Sequence, residues 1–190
     1  MKKLLFLGAI ALCGAVSAQE NSIKANPAAL LGGSDLVTYE RKLSDNITGV
    51  IGAGIGGFKL GGYKYESLGG GLQGRYYFDE ALTGWYGAVV GDYITGKVEM
   101  NSAGFGFTME GMEMDDSMNS DTDFSAFGGG LRAGYQWVFD SGFTLDLNGG
   151  ASYKFYDYKN DTTVDGDNST SGLKGNGILP SGSVGLGYTF

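Results

Sequence analysis

The chain has 190 residues, room for one domain, with 21 acidic and 13 basic residues and a formal net charge of −8. It holds no histidine and a single cysteine. The first absence excludes Ser-His-Asp chemistry and the commonest transition-metal ligand, and the acidity argues against a nucleic-acid partner.

Residues 1–18 have the layout of a secretory signal peptide. Lys2 and Lys3 form a basic start, Leu4 to Val16 is apolar, and Val16-Ser17-Ala18 offers a cleavage site after Ala18. The apolar run is too short for a membrane helix, which needs about 20 residues. Leu12 precedes Cys13 where a lipoprotein signal needs a small residue, so no lipid anchor is expected. Cleavage removes two lysines and no acid, leaving eleven basic and twenty-one acidic residues, a net charge of −10, and no cysteine. Residues 19–190 form the expected domain.

That domain reads as strand throughout, with frequent aromatics, 36 glycines, two prolines and no helical periodicity. The first predicted strand is Ile23 to Leu31, although Pro27 lies inside it and favours an edge or bulge. A turn at Gly32-Gly33-Ser34 leads to Asp35 to Leu43, and Ser44-Asp45-Asn46 turns into Ile47 to Leu60. The phase of that third strand is ambiguous, because Ile51 and Ile55 compete with Val50 and Phe58. Ser67 to Phe78 alternates cleanly, with Leu68, Leu72, Tyr76 and Phe78 opposite Gln73, Arg75 and Tyr77. After Asp79 to Thr83, the strand Gly84 to Glu99 sets Trp85, Val89 and Tyr93 against Tyr86, Asp92 and Ile94. Phe124 to Phe139, the turn Asp140-Ser141-Gly142 and Phe143 to Tyr158 form a hairpin of sustained period-two alternation. Ile178 to Phe190 is the eighth strand.

Long strands with one apolar and one polar face fit a transmembrane barrel, apolar side outward. Several exceed the ~9–11 residues that cross a bilayer at a tilt. Short connections at 44–46, 79–83 and 140–142 alternate with long ones at Lys97 to Asp123 and Lys159 to Gly177, although those at 32–34 and 61–66 break the pattern. Aromatics gather beside the short turns: Tyr76, Phe78, Trp85, Trp137, Phe139, Phe143, Tyr188 and Phe190. The ending Ser183 to Phe190 fits the insertion signal of outer-membrane barrels, with Gly185, Tyr188 and Phe190 in its key places. The expected fold is therefore all-β, an eight-stranded antiparallel up-and-down barrel. Its expected interior holds Glu40, Arg75, Asp92, Arg132, Asp146 and Lys154, whose opposite charges can pair.

The stretches Ala25-Asn26-Pro27, Leu30-Leu31-Gly32 and Tyr39 to Asn46, with the strand end Gly74 to Phe78, resemble a bacterial family of outer-membrane β-barrel proteins of uncharacterised function. The resemblance implies an eight-stranded barrel of the general OmpA or OmpW kind, and brings neither catalytic residues nor a periplasmic peptidoglycan-binding domain.

Two loops carry candidate ligands. Lys97 to Asp123 contains Met100, Met109, Met112, Met114 and Met118 with seven acids, including Asp115 and Asp116. Thioethers suit soft cations and carboxylates hard ones, but no recognised metal spacing occurs, and a solvated external loop is the plainer reading. Asp165-Gly166-Asp167-Asn168 has a calcium-like composition without the closing glutamate. No cofactor and no enzymatic activity are expected. The expected location is the outer membrane of a Gram-negative cell, with lipids, lipopolysaccharide and the barrel assembly machinery as partners. The leading role is structural or surface-interacting. The alternatives are a passive, porin-like conduit or binding site for a small apolar molecule, and a soluble exported binder of lipocalin type.

Overall fold

The structure, a computed structural model, describes residues 20–31, 34–60, 63–100, 120–164 and 167–190. Eight strands follow one another: β1 (Asn21–Ala25), β2 (Val37–Lys42), β3 (Ile47–Leu60), β4 (Tyr63–Tyr77), β5 (Gly84–Met100), β6 (Ser120–Val138), β7 (Phe143–Val164) and β8 (Asp167–Thr189). Every neighbouring pair is antiparallel, and β1 returns to β8, so the hydrogen bonds close into a ring, a barrel in sequence order. The predicted signal peptide lies outside the described residues.

The pleat sends alternate side chains to opposite faces. Outside lie Ile51, Leu72, Val89, Leu131 and Val184, all substantially exposed. Below them, towards the short turns, the outer face carries Tyr76, Phe78, Trp85, Trp137, Phe139, Phe143 and Tyr188. Above them it carries Tyr93, Phe127, Tyr153 and Phe155, a second aromatic group that alternation alone does not separate from the first. Inside lie Ser22, Lys24, Glu40, Thr48, Arg75, Gln136, Thr144 and Asp146, none more than 3 % exposed. Burial is thus inverted relative to a water-soluble core. In β3 Ile51 and Ile55 are exposed and Val50 is buried, while Phe58, in phase with Val50, is exposed on the upper part of the strand.

Two expectations are corrected. The strand predicted over Ile23 to Leu31 stops at Ala25, and Pro27–Leu31 forms a 3-10 helix. Proline has no N–H for a strand ladder, yet its fixed φ suits a first helical turn, and Ala29 N–H closes that turn on the Asn26 carbonyl at 3.0 Å. Also, the expected connections are shorter than read: β4 takes up 63–66 of the connection 61–66, the ends of Lys97 to Asp123 pair from Lys97↔Asp123 to Met100↔Ser120, and β7 and β8 pair without interruption from Phe143↔Tyr188 to Val164↔Asp167 across much of 159–177. The polar Thr, Ser and Asn of this stretch lack hydrophobic alternation, so the period-two signal fades before the strands do.

Two connections fold inward. Ala81 and Leu82 of the 78–83 turn are buried, with Leu82 held at φ 74°, and they stopper the lower mouth. On the other side, Ser34 and Asp35 cross the interior. A Cβ on Gly69 of β4 would lie 3.1 Å from the Ser34 Cα, and one on Gly52 of β3 would lie 3.5 Å from the Asp35 Cα. Only glycine at position 69 lets the connecting backbone approach so closely.

Gly142 has φ 83°, and a Cβ there would meet the Tyr188 ring at 2.6 Å, whereas a Cβ on Gly149 meets nothing within 4 Å. Gly142→Ala is therefore expected to lower unfolding stability by about 1–2 kcal/mol. Gly149→Ala should stay within about 0.5 kcal/mol of the parent. Equilibrium urea titration of the two variants checks both.

Candidate functional site

The lower interior is filled by a polar network drawn from seven strands, β1 to β7. Lys24 (β1) donates to Glu40 (β2) at 2.5 Å, to Gln136 (β6) at 2.5 Å and to Asp146 (β7) at 2.8 Å. Arg75 (β4) donates through Nη1 to Asp146 at 2.7 Å and to Glu40 at 3.2 Å, and through Nη2 to Gln73 at 3.1 Å. Two cations thus face two carboxylates. Their remaining oxygens accept from hydroxyls: Tyr77 and Thr48 donate to Glu40 Oε1 at 2.7 and 2.6 Å, and Tyr86 donates to Asp146 Oδ1 at 2.6 Å. The guanidinium of Arg75 also lies 4.4 Å from the centre of the Tyr86 ring, a favourable cation–π distance.

Chain geometry explains why these residues meet. Several strands hold a long polar side chain on the inward phase near the turn end, and the register places them at one level: Arg75 opposes Thr48 and Ala88, and Gln136 opposes Asp146. Gln136 also donates to the Leu82 carbonyl at 2.6 Å, tying the network to the stoppered mouth.

A second, sparser set lies higher. Lys154 (β7) bonds Asp92 (β5) across the interior. Arg132 (β6) reaches Asp35 and Ser181, both at 3.4 Å. All six charged residues expected in the interior therefore face inward, but in two groups: Glu40, Arg75 and Asp146 below, Asp92, Arg132 and Lys154 above. Lys24, Gln136, Tyr77 and Tyr86 complete the lower group and were not in the expected set. Lys24 is hidden by the misread first strand, where Pro27 obscures the phase. Gln136 and Tyr77 stand on the inward phase, but carry no charge to single them out.

Of the expected insertion-signal residues, Gly185 lies inside against Lys24 and Asp146, and Tyr188 points outward beside Phe190. The Phe190 carbonyl accepts from the N–H groups of Glu20 and Asn21, and its own N–H donates to the Asn21 carbonyl. The last residue thereby fastens the seam at which β8 meets β1. The loop candidates Met109, Met112, Met114, Asp115 and Asp116 lie outside the described residues, as do Asp165 and Gly166. Asp167 opens β8. No cluster of acidic residues able to hold a metal occurs among the described residues.

Comparison with protein families places the chain plainly: it belongs to the family described as "Protein of unknown function (DUF3575)", whose model matches residues 4–188. That description carries neither OmpA nor OmpW, so the finer resemblance stays an expectation. No match was found among curated proteins.

Removing one partner from a buried pair leaves an uncompensated charge, at a cost of about 3–5 kcal/mol. Arg75→Met and Asp146→Asn should each destabilise by about that amount, and the double variant by less than the sum. Tyr86→Phe should cost about 1.5–3 kcal/mol, the worth of a hydrogen bond to a charged group. Urea titration of the four variants measures each value and the coupling.

Proposed function

We propose that this protein is an exported, integral outer-membrane barrel without enzymatic activity, which anchors its long-stranded loop end at the cell surface in a structural or surface-interacting role. The observation that carries the reading is the inverted burial. Leu131 and Val89 are 68 % and 65 % exposed, while Glu40 and Arg75 are 0 % and 3 % exposed. In water such an apolar girdle would far exceed the few hundred Å² that soluble proteins tolerate. In lipid it is the required surface.

Dimensions support it too. Outward residues from Phe143 to Phe155 of β7 span ~40 Å of strand, or ~30 Å along the axis at a tilt of about 40°. That covers a hydrocarbon core of about 25–30 Å plus part of each interface. The two outer aromatic groups lie near the ends of this span, where amphipathic rings favour the lipid–water boundary. Where β1 and β2 complete the ring, closure satisfies the backbone groups that lipid cannot. Lys2, Lys3 and the small-residue stretch Val16-Ser17-Ala18 support export, and the spacing of Gly185, Tyr188 and Phe190 supports recognition by the barrel assembly machinery.

Among the described residues, the members of the lower network are buried against one another with buried Leu82 beneath them, which favours an anchor over an open pore. The soluble lipocalin-type alternative needs an apolar interior at that level, and the charged network argues against it.

The test is electrophoretic mobility of the outer-membrane fraction with and without boiling, for the native chain and for one lacking Phe190. The native chain should be found there and shift on boiling, and the truncated chain should be several-fold depleted. In planar bilayers the native protein should show no sustained conductance steps. A native chain recovered from the periplasm in soluble form, insensitive to boiling, contradicts the reading.

A further inference from the structure

Among the described residues, the upper part of the barrel wall is interrupted on one side, although the ring is closed below. β1 and β2 are only five and six residues long, against 22 and 23 for β7 and β8. β2 pairs β3 from Thr48 to Ala53, and β1 pairs β8 from Leu186 to Thr189. Among the described residues, Gly54 to Leu60 of β3 and the part of β8 before Leu186 have no strand on these edges. The 3-10 helix Pro27–Leu31 forms the lower margin of the slot between them.

Pro180 lies on the open edge of β8. Thr189 N–H donates towards β7, to the Gly142 carbonyl, and Phe190 N–H donates towards β1, to the Asn21 carbonyl. The direction alternates along β8, and its register with β7 has no bulge, so Pro180 shares the β1-facing direction of Phe190. Proline offers no N–H there. An edge lacking a donor resists the addition of another strand and leaves one fewer unsatisfied donor for lipid to meet. Both prolines of the chain thus border the slot.

Behind the slot is a cavity of about 340 Å³, above the Ser34–Asp35 crossing, a volume within the roughly 300–1,000 Å³ of small-molecule sites. Phe58, on the open part of β3, stacks on Tyr65 at 5.4 Å, and Tyr65 on Phe124 at 5.7 Å, so an aromatic row leads inward from the slot. Leu179 of β8 lines the cavity too. The polar side holds Arg132 with Ser181, beside Ser34, Ser152 and the Lys154–Asp92 pair, whose charges already meet each other. The guanidinium has five donors, and its contacts to Asp35 and Ser181 are both long, at 3.4 Å, leaving donors for an incoming acceptor.

We propose that this upper cavity binds a single-chain amphiphile with a carboxylate head, taken sideways from the bilayer through the slot between β3 and β8. The chain lies along the Phe58–Tyr65–Phe124 row, and the carboxylate meets Arg132 and Ser181. The proposal rests on the membrane reading above and names the ligand class of the same barrel.

The test uses the full barrel in phosphatidylcholine nanodiscs, with dansyl undecanoate as the fluorescent probe. Heat-modifiable mobility is recorded for every variant before binding is read. The native protein should bind the probe saturably, one per barrel, beyond the partitioning into empty nanodiscs. Undecanoate should displace it at least tenfold more effectively than undecanol. Ala126→Phe, which fills the cavity, and Arg132→Gln, which removes the head-group donor, should each weaken binding at least tenfold. A heat-modifiable native barrel without saturable binding overturns the proposal and leaves the membrane reading intact, and so does a heat-modifiable Ala126→Phe that binds normally. Equal displacement by undecanol overturns the assignment of the head. A dimer in native mass spectrometry that excludes the probe gives the slot to a second copy and overturns the proposal. A chain that never enters the nanodisc overturns both readings.

Discussion

Lys24 and Arg75 are packed against Glu40 and Asp146 in a space to which seven strands contribute, and the rest of the barrel is arranged to keep those charges matched. At an effective dielectric near 20, a pair about 4 Å apart attracts by about 4 kcal/mol, comparable to the several kcal/mol needed to desolvate each ion. Such a core is neutral in sum and severe about register. Shifting one strand by a single residue turns its charged side chain outward. The network therefore specifies which strands lie together, while the apolar exterior says only that they do.

The same arrangement divides the interior. Below the Ser34–Asp35 crossing, donors and acceptors fill the space and Leu82 stands under them, an interior that resists passage. Above it, the charged groups thin to Asp92, Lys154, Arg132 and Asp35, and aromatic rings replace them. The short β1–β2 hairpin explains the division. Because these strands end at mid-height, their connection has room to bend inward as a floor, and the wall above them is left incomplete. A barrel with eight equally long strands would have neither feature.

Alternation along the chain makes much of this legible in the sequence. β3 spans Ile47 to Leu60 as expected, and period two assigns the faces of Ser67 to Tyr77, Gly84 to Glu99 and Phe143 to Tyr158 correctly. Where it fails, the reasons are local. Pro27 is equally at home in an edge strand and at the start of a helical turn, and tertiary context chooses the turn. The upper parts of β7 and β8 are polar on both faces, so nothing in their pattern separates strand from loop, although Asp165-Gly166 is a favoured hairpin pair. The membership of the lower network is beyond reach of any local pattern, because Lys24 and Asp146 are 122 residues apart and meet only through the register of the closed ring.

The central claim is that the apolar face meets lipid. Single-cysteine labelling suits it, since Cys13 is the only native cysteine. Bimane placed at Leu72→Cys, Val89→Cys and Leu131→Cys, in a Cys13→Ser background reconstituted in bilayers, should be quenched strongly by nitroxide-bearing lipids and weakly by aqueous iodide. Strong iodide quenching at these three positions, with little effect of the lipid nitroxide, would contradict the account.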